Sequence, residues 1–251
     1  MSKQPKVVLG INSYTGKEGE RCKLLPPLLD SILEKTNYKN YSIILYDDCS
    51  PRDDLLKIYE EYSDKFDVRF EMVRGSKPLV RWHRVRNALV ESMTPLKPDY
   101  YFLYDDDYEI IHENWMTHIV GCMENIPEVG ILGAHWARLE DGKTRQKQHT
   151  PNGLIDNGSG FVVNTNLYVT GGCWTVRPEV IEKVGLWPEI QYDGGKPGAD
   201  TWYGWKLEEV TDYKLCSTLS DMAMHTGQEF MRGKFANKYD TKEFQAGKRL
   251  Y

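Results

Sequence analysis

The sequence of 251 residues lacks long apolar runs and carries no excess of positive charge. No stretch approaches the roughly 20 apolar residues of a membrane-spanning helix, and the apolar run near the N-terminus is too short for a signal peptide. The formal net charge of −5 provides no general attraction to nucleic acid or to anionic lipid. These absences predict a protein without a transmembrane segment that does not bind nucleic acid through its overall charge.

Paired cysteines are also lacking. The five cysteines are odd in number and scattered along the chain, without the spacings of a zinc site or a disulfide framework. This pattern predicts a reducing, cytoplasmic location. The chain is long enough for one large α/β domain with a sizeable core.

A run of apolar and aromatic residues leads directly into three carboxylates at 101–108 (YFLYDDDY). The apolar half predicts a buried strand, with the acids at its carboxyl end. Neighbouring like charges repel one another, and a divalent cation would remove that repulsion. Because alternate side chains of an extended segment point the same way, Asp105 and Asp107 can share one ion while Asp106 points elsewhere. The alternative is a solvated acidic turn.

Strands and helices alternate through the first half of the chain, which predicts parallel βαβ units with right-handed crossovers. In such a sheet Tyr14, the pair Asp47 and Asp48, and the acids at 105–107 converge at the carboxyl edge, where α/β sheets bind ligands. The predicted strands cover 6–11, 41–46, 68–73 and the segment before Asp105, and the predicted helices cover 24–35, 53–63 and 81–93.

A basic stretch lies between the acidic strand ends. On a helix Arg81 and Arg84 share one face because of their three-residue spacing. A cationic helix beside a metal site suits a diphosphate, which arginine binds through two parallel hydrogen bonds. The alternative is a solvated basic face.

Taken in chain order, these residues resemble the glycosyltransferases of the GT-A fold, in particular the large inverting family 2. The resemblance runs from Lys6 to about Gly227. Its motifs are a polar loop (INSY, 11–14), an acidic motif (DDCS, 47–50), an Arg-Asn-Ala element at 86–88 and an Asp-x-Asp motif at 105–107. Each motif alone is weak, and the set is more specific because order and spacing also match.

The resemblance assigns the first half of the chain to a nucleotide-sugar donor. Tyr14 is expected to stack on the nucleotide base and the acid of DDCS to bond to it, although Cys49 replaces the usual glycine. Asp105 and Asp107 are expected to bind the metal. The donor-binding residues expected in this half are Asn12, Tyr14, Asp47, Asp48, Arg81, Arg84, Arg86 and Asp106.

In the second half, a strand-like segment over 168–177 contains the paired glycines Gly171 and Gly172. Such a pair indicates a bend or a close approach of the backbone to a ligand. The family places a similar segment near the donor sugar and the acceptor. Both glycines and Trp174 therefore complete the expected donor site, with Trp174 stacking on a sugar face. A strand over 129–133, a hairpin and loop over 141–160 and a helix over 178–184 are also predicted.

The family carries a Glu-Asp pair at the start of a helix, and its Asp acts as the catalytic base. This chain has Ala199 in place of the Glu and Asp200 in place of the Asp. The resemblance therefore assigns Asp200 as the base, without the usual neighbouring acid. The alternative role for Asp200 is a helix N-cap, which works against a base because N–H donors stabilise the charged carboxylate.

His225 is the last motif residue. Several enzymes of this fold supply a histidine as a third metal ligand at this late position, so His225 joins Asp105 and Asp107 as an expected ligand; the alternative is a structural role. A mixed histidine and carboxylate site favours Mn²⁺ over Mg²⁺, and either ion is an expected cofactor. The basic tail over 228–251 is predicted to be a flap that closes over the site or a frayed terminus.

The resemblance implies an α/β fold of the GT-A type, in which helices flank a mostly parallel, Rossmann-like central sheet and the acceptor half adds a small antiparallel sheet. Residues 1–227 are predicted to form one domain, with a nucleotide-binding half at 1–110 and an acceptor half at 111–227.

The function implied is metal-dependent transfer of a sugar, with inversion, from a nucleotide-diphosphate sugar to a hydroxyl of a glycan or another acceptor. UDP is preferred only by resemblance. The alternatives are a sugar-nucleotide nucleotidyltransferase, whose glycine-rich phosphate loop is not evident near the N-terminus, and a non-catalytic glycan- or metal-binding module. The acidic net charge argues against a nucleic-acid acceptor.

Overall fold

The computed structural model describes residues 4–16, 19–79, 82–140, 143–145, 149–189 and 198–226. Within them the strands are β1 (Val7–Ser13), β2 (Tyr41–Asp47), β3 (Phe70–Arg74), β4 (Tyr100–Asp105), β5 (Tyr108–Ile110), β6 (Val129–Glu140), β7 (Lys143–Arg145), β8 (His149–Asp156), β9 (Val162–Val169), β10 (Cys173–Val176) and β11 (Lys214–His225). The helices are α1 (Leu25–Lys35), α2 (Asp54–Ser63), α3 (Trp82–Met93), α4 (Trp115–Asn125), α5 (Pro178–Val184) and α6 (Ala199–Val210).

One sheet organises the fold, in the order β3-β2-β1-β4-β10-β6-β11-β9-β8. β1 pairs in parallel with β2 and β4, and β2 pairs in parallel with β3. β10 runs antiparallel between β4 and β6, and β9 runs antiparallel between β11 and β8. The predicted α/β class is confirmed, and the antiparallel strands of the second half continue the central sheet.

The sheet is covered on both faces, and each face has its own core cluster. The first core contains residues of α1, α2 and α4, and the second contains residues of α3, α5 and α6. β1 contributes Leu9 to the first core and Val8 to the second, as alternation along a strand requires. A strand buried on both faces reads as a continuous apolar run, which is why VVLGI predicted it.

Gly10 in β1 sets the position of α3. A Cβ atom at this residue would lie 2.4 Å from Sδ of Met93 and 2.9 Å from the side chain of Leu89. The missing side chain therefore lets α3 pack directly on the central strand. This close packing places the first turns of α3 above the carboxyl ends of β1 and β4.

The predicted elements of the first half lie within two residues of the observed ones, and the predicted helix over 178–184 coincides with α5. The segment over 168–177 is instead the end of β9, a turn and β10. Helix α4 and strand β11 are elements that the sequence patterns missed. A flexible loop is also predicted over 191–198, and its residues 191–197 lie outside the described residues, as does the tail at 228–251.

None of the helices in the described part of the chain combines the length and the apolar character that spanning a membrane requires.

Leu9→Ala tests the packing of the first core. Leu9 is fully buried, so the substitution is expected to lower the free energy of unfolding by about 2–5 kcal/mol through lost apolar burial and a residual cavity. Urea denaturation followed by circular dichroism measures the change.

Leu154→Ala in β8 is the matched control, because Leu154 is 64% exposed and should change stability by no more than about 0.5 kcal/mol. Equal losses in the two variants would contradict the assignment of β1 to the centre of the core.

Candidate active site

The carboxyl ends of three neighbouring strands meet at one edge of the sheet. In the parallel register Ser13 of β1 lies beside Asp47 of β2, and Asn12 lies beside Asp105 of β4. The side chain of Asn12 hydrogen-bonds to Asp105, and Tyr14 follows β1 directly in a half-buried position. The polar residues that end these strands are therefore neighbours in the structure.

Arg86 connects two parts of this edge. Its side chain is 1% exposed, and Nη2 donates to Asp105 Oδ1 at 2.8 Å and to the carbonyl oxygen of Gly171 at 2.7 Å. Its guanidinium lies 5.0 Å from the ring centre of Trp82, within the range of a cation–π contact. The buried cation thus joins the end of β4 to the turn between β9 and β10.

Asp106 points away from Asp105 and is buried. It accepts hydrogen bonds from Ser13 Oγ at 2.5 Å and from Arg21 Nη2 at 3.1 Å. Burial raises the pKa of Asp106 to about 6, although the Arg21 charge opposes that rise. Both carboxylate oxygens accept hydrogen bonds within the chain, so Asp106 ties β1 and Arg21 to the end of β4. Its expected contact with the nucleotide sugar stays a prediction.

Asp107 forms a pair with His225, at the end of β11. Asp107 Oδ2 lies 3.2 Å from Nε2 of His225. The imidazole packs between Tyr108 and Trp136, with ring centres 4.7 Å and 4.9 Å away, respectively. Burial acts to raise the pKa of Asp107, but the hydrogen bond and charge of His225 outweigh it, so the pKa lies below its ordinary value.

The Asp107–His225 pair fits a divalent cation. Octahedral Mg²⁺ has bonds of about 2.0–2.1 Å, which place neighbouring ligand atoms roughly 3 Å apart, close to the 3.2 Å observed. No three His, Cys, Asp or Glu side chains converge on a metal site within the described residues. Such an ion would take its other ligands from water and phosphate, as Mg²⁺ usually does. Asp105 Oδ1 accepts from Arg86, and the expected role of Asp105 as a metal ligand stays a prediction.

Asp47 and Asp48 are buried behind this edge. Asp47 Oδ1 accepts the backbone N–H of Ser50 at 2.8 Å, and Oδ2 lies 3.2 Å from Nε of Arg74. Asp48 Oδ1 accepts the N–H of Leu79 at 2.8 Å. Both acids brace loops after β2 and β3, and their role at a nucleotide base stays a prediction.

Cys49 occupies the position where the family usually has glycine. Its φ angle is 55°, in the left-handed region that glycine adopts without steric cost. The backbone conformation that explains the usual glycine is therefore retained here with a side chain.

Asp200 is the second residue of α6, whose N-cap is Gly198. The N-cap alternative for Asp200 is therefore not what the structure shows. Its Oδ1 accepts the N–H of Thr201 at 2.9 Å. Its Oδ2 accepts the hydroxyl of Tyr168 at 3.1 Å and the N–H of Gly171 at 3.3 Å.

The glycine pair allows close approach of side chains. A Cβ atom on Gly171 would lie 2.5 Å from the ring of Trp82 and 3.4 Å from Cβ of Asp200. A Cβ atom on Gly172 would lie 2.1 Å from the hydroxyl of Tyr108. Both glycines therefore permit the turn to fit between aromatic residues of the site.

The expected stacking of Trp174 on a sugar is wrong. Trp174 is 1% exposed, and its ring packs with those of Trp187 and Tyr203, with centres 5.9 Å and 6.1 Å away, respectively. Alternation along β10 directs this side chain into the second core.

Of the two arginines predicted to form a basic face on α3, the structure describes Arg84 alone. Arg84 forms an ion pair with Glu189, and its side chain is 44% exposed. Arg81 lies outside the described residues. Arg86, predicted through the Arg-Asn-Ala element, is the arginine that the structure buries at the strand ends.

Comparison with protein families decides the assignment. The family model for glycosyl transferase family 2 matches residues 19–185, more than half of the chain.

This chain belongs to glycosyl transferase family 2. The predicted resemblance to this family is confirmed.

Two curated relatives are similar to this family 2 chain. It is 27% identical over 184 residues to the uncharacterized protein y4gI of Sinorhizobium fredii, an alignment covering 66% of the chain and 19% of that protein. It is 25% identical over 186 residues to the O-antigen biosynthesis protein RfbC of Myxococcus xanthus, covering 68% of the chain and 14% of that protein. The chain therefore matches only a minor part of each relative's length.

Solved structures share the fold of this family 2 chain. TarS 1–349 of S. aureus in complex with UDP has a TM-score of 0.64 and 14% identity, over 90% of this chain and 62% of that one. GalNAc-T7 with UDP, GalNAc and Mn²⁺ has a TM-score of 0.69 and 14% identity, over 90% and 44%. The mannosyltransferase PcManGT of Pyrobaculum calidifontis with GDP-Man and Mn²⁺ has a TM-score of 0.59 and 13% identity, over 90% and 58%. The predicted GT-A fold is thus confirmed.

The sequence analysis did not predict three residues of the site. Tyr168 contacts Asp200, Trp82 contacts Gly171, and Arg21 contacts Asp106. Trp82 precedes the Arg-Asn-Ala element by one helical turn, a spacing that places it on the same helix face as Arg86. No comparable signal marks Tyr168 or Arg21, since both come from distant segments.

Arg86→Ala tests whether the buried cation organises the site. The substitution leaves the Asp105 carboxylate and the Gly171 carbonyl without their donor, so the free energy of unfolding is expected to fall by about 3–5 kcal/mol. Urea denaturation measures the loss.

Arg84→Ala on the same helix is the matched control. Its ion pair is exposed, so a loss of about 0–1 kcal/mol is expected. The assignment fails if the two variants lose the same stability.

Proposed function

We propose that this chain transfers a sugar from a nucleotide-diphosphate sugar to an acceptor hydroxyl, with inversion at the anomeric carbon and with a divalent metal ion. One observation carries the proposal. The carbonyl of Gly171 accepts from Arg86, which also pairs with Asp105, while the N–H of the same glycine donates to Asp200. Gly171 therefore connects Asp200, the expected base, through Arg86 to Asp105 at the end of β4.

Family membership and the neighbouring structures support this reaction class. TarS is described with UDP, GalNAc-T7 with UDP, GalNAc and Mn²⁺, and PcManGT with GDP-Man and Mn²⁺. Both UDP and GDP-Man occur among them, so the preference for UDP rests on the sequence resemblance. We also propose that residues 1–227 form a single domain. We further propose a cytoplasmic location, which the free cysteines of the described residues support.

Asp107 and His225 are the residues that would hold the metal ion, as Mn²⁺ or Mg²⁺. When bound, the ion neutralises the charge that develops on the leaving nucleoside diphosphate. Arg86 adds a fixed positive charge beside Asp105, buried where water screens it little. Its position at the strand ends favours a neighbouring anionic group without requiring the side chain to move.

Asp200 is proposed as the general base. Its carboxylate accepts the proton of the acceptor hydroxyl as that oxygen forms a bond to the anomeric carbon. The bond between that carbon and the diphosphate oxygen breaks in the same step, and the electron pair leaves with the nucleoside diphosphate. A single displacement from the opposite face inverts the anomeric configuration.

Metal-dependent nucleotide binding tests the first half of the proposal. UDP or GDP with Mn²⁺ is expected to raise the melting temperature of the chain, since ligand at about 100 times its Kd adds roughly 2.7 kcal/mol of stability. Asp107→Asn and His225→Ala are expected to lose this shift, and EDTA is expected to remove it from the unaltered chain.

Asp212→Asn is the matched control, because Asp212 is an exposed aspartate two residues before the start of β11 and should keep the full shift. An unchanged Mn²⁺-dependent shift in Asp107→Asn would exclude Asp107 as a ligand.

Asp200→Asn tests the base. The variant is expected to bind nucleotide with Mn²⁺ normally and to lose on the order of 10²- to 10⁴-fold in kcat. Release of nucleoside diphosphate from a panel of UDP-, GDP- and dTDP-sugars measures the rate, and proton NMR of the product measures the anomeric configuration.

Glu208→Gln, an exposed carboxylate on the same helix, should retain full activity. Full transfer by Asp200→Asn would remove Asp200 from the mechanism, and release of pyrophosphate in place of a nucleoside diphosphate would identify a nucleotidyltransferase.

A further inference from the structure

The residue that precedes Asp200 has no side-chain group that could hydrogen-bond to its carboxylate. The preceding residue is Ala199, where the family resemblance leads us to expect a glutamate. A base must nevertheless be held in one orientation, because proton transfer depends on hydrogen-bond reach to the acceptor hydroxyl. The question is which residue orients this carboxylate.

The structure provides one side-chain donor for Asp200 among the described residues. The Tyr168 hydroxyl lies 3.1 Å from Oδ2, and the backbone N–H of Gly171 lies 3.3 Å from the same oxygen. Tyr168 belongs to β9, which is paired with β8 and β11, and Gly171 belongs to the turn that follows it. Both donors therefore come from a segment that the sheet holds in place.

We propose that Tyr168 is a positioning residue for the catalytic base Asp200 and takes the place of the glutamate that is absent at residue 199. The inference rests on the proposed glycosyl transfer. It assigns a role to a residue that no sequence motif marks. The hydroxyl donates to Oδ2 and fixes that oxygen, while Oδ1 is held by the N–H of Thr201 at 2.9 Å.

Tyrosine is chemically suited to this position. Burial, together with the Asp200 charge, raises the pKa of Tyr168 to about 12, so the hydroxyl remains protonated and donates throughout the neutral range. It also brings no second negative charge to the carboxylate. Its ring has only two side-chain torsions, which limits the entropy lost when the contact forms.

Tyr168→Phe removes the donor and keeps the ring. Because this variant loses a hydrogen bond to a charged group, its kcat is expected to fall roughly 10- to 100-fold. The KM for the donor sugar and the Mn²⁺-dependent binding of nucleotide are expected to stay unchanged. The pH profile of kcat is expected to change in this variant, which a loss of stability alone would not cause.

Tyr203→Phe is the matched control. Tyr203 lies on α6 with Asp200. Its ring is buried, and its hydroxyl donates a hydrogen bond to the carbonyl of Gly185 at 2.8 Å. This variant loses a hydrogen bond of the same kind without touching the base. It is expected to lower thermal stability and to leave kcat and its pH profile unchanged.

A double-mutant cycle separates positioning from a general loss of structure. If Tyr168 acts through Asp200, adding Tyr168→Phe to Asp200→Asn causes no further loss of the residual rate. A further loss of the same size in the double variant would overturn the inference, as would an unchanged kcat and pH profile in Tyr168→Phe. If the unaltered chain transfers no sugar from any donor, the proposed function fails and this inference fails with it.

Discussion

The candidate site depends on one buried arginine. Arg86 is almost completely removed from water, and a buried cation is tolerated only when acceptors surround it. Asp105 and the carbonyl of Gly171 both accept from Nη2, and the face of Trp82 adds a third favourable contact. Nε and Nη1 are buried without a hydrogen-bond partner among the described residues. Three segments that are distant in sequence must therefore come together before this charge is stabilised, so the interaction links folding of the site to folding of the sheet.

The turn at Gly171 transmits that constraint to the proposed base. Its carbonyl is held by Arg86 and its N–H by Asp200, and a side chain at this residue would collide with Trp82. The position of Asp200 relative to the strand ends thus follows from backbone geometry. This backbone contact does not depend on the residue at 199, and the Tyr168 hydroxyl adds the side-chain contact to the same carboxylate oxygen.

Local patterns predicted most of the first half of the fold, because its strands are buried on both faces and its helices carry regular apolar spacing. Helix α4 was missed since Gly121 and Thr117 interrupt a helical reading of WMTHIVGCMEN. The orientation of strand residues was harder to predict where it depends on tertiary packing. An aromatic beside paired glycines suggested a sugar platform at Trp174, but the faces of β10 are decided by α5 and α6, which come later in the chain.

The orientation of the His225 side chain could not be predicted from local sequence patterns. Met222 and Ala223 of β11 both lie in the first core, although they are adjacent and a regular strand would put them on opposite faces. Register shifts between Ser217 and Ala223 account for the change, since an irregularity of this kind re-aims every later side chain. His225 consequently reaches Asp107. The orientation of His225 therefore follows the irregular pairing between β6 and β11, which no local sequence pattern records.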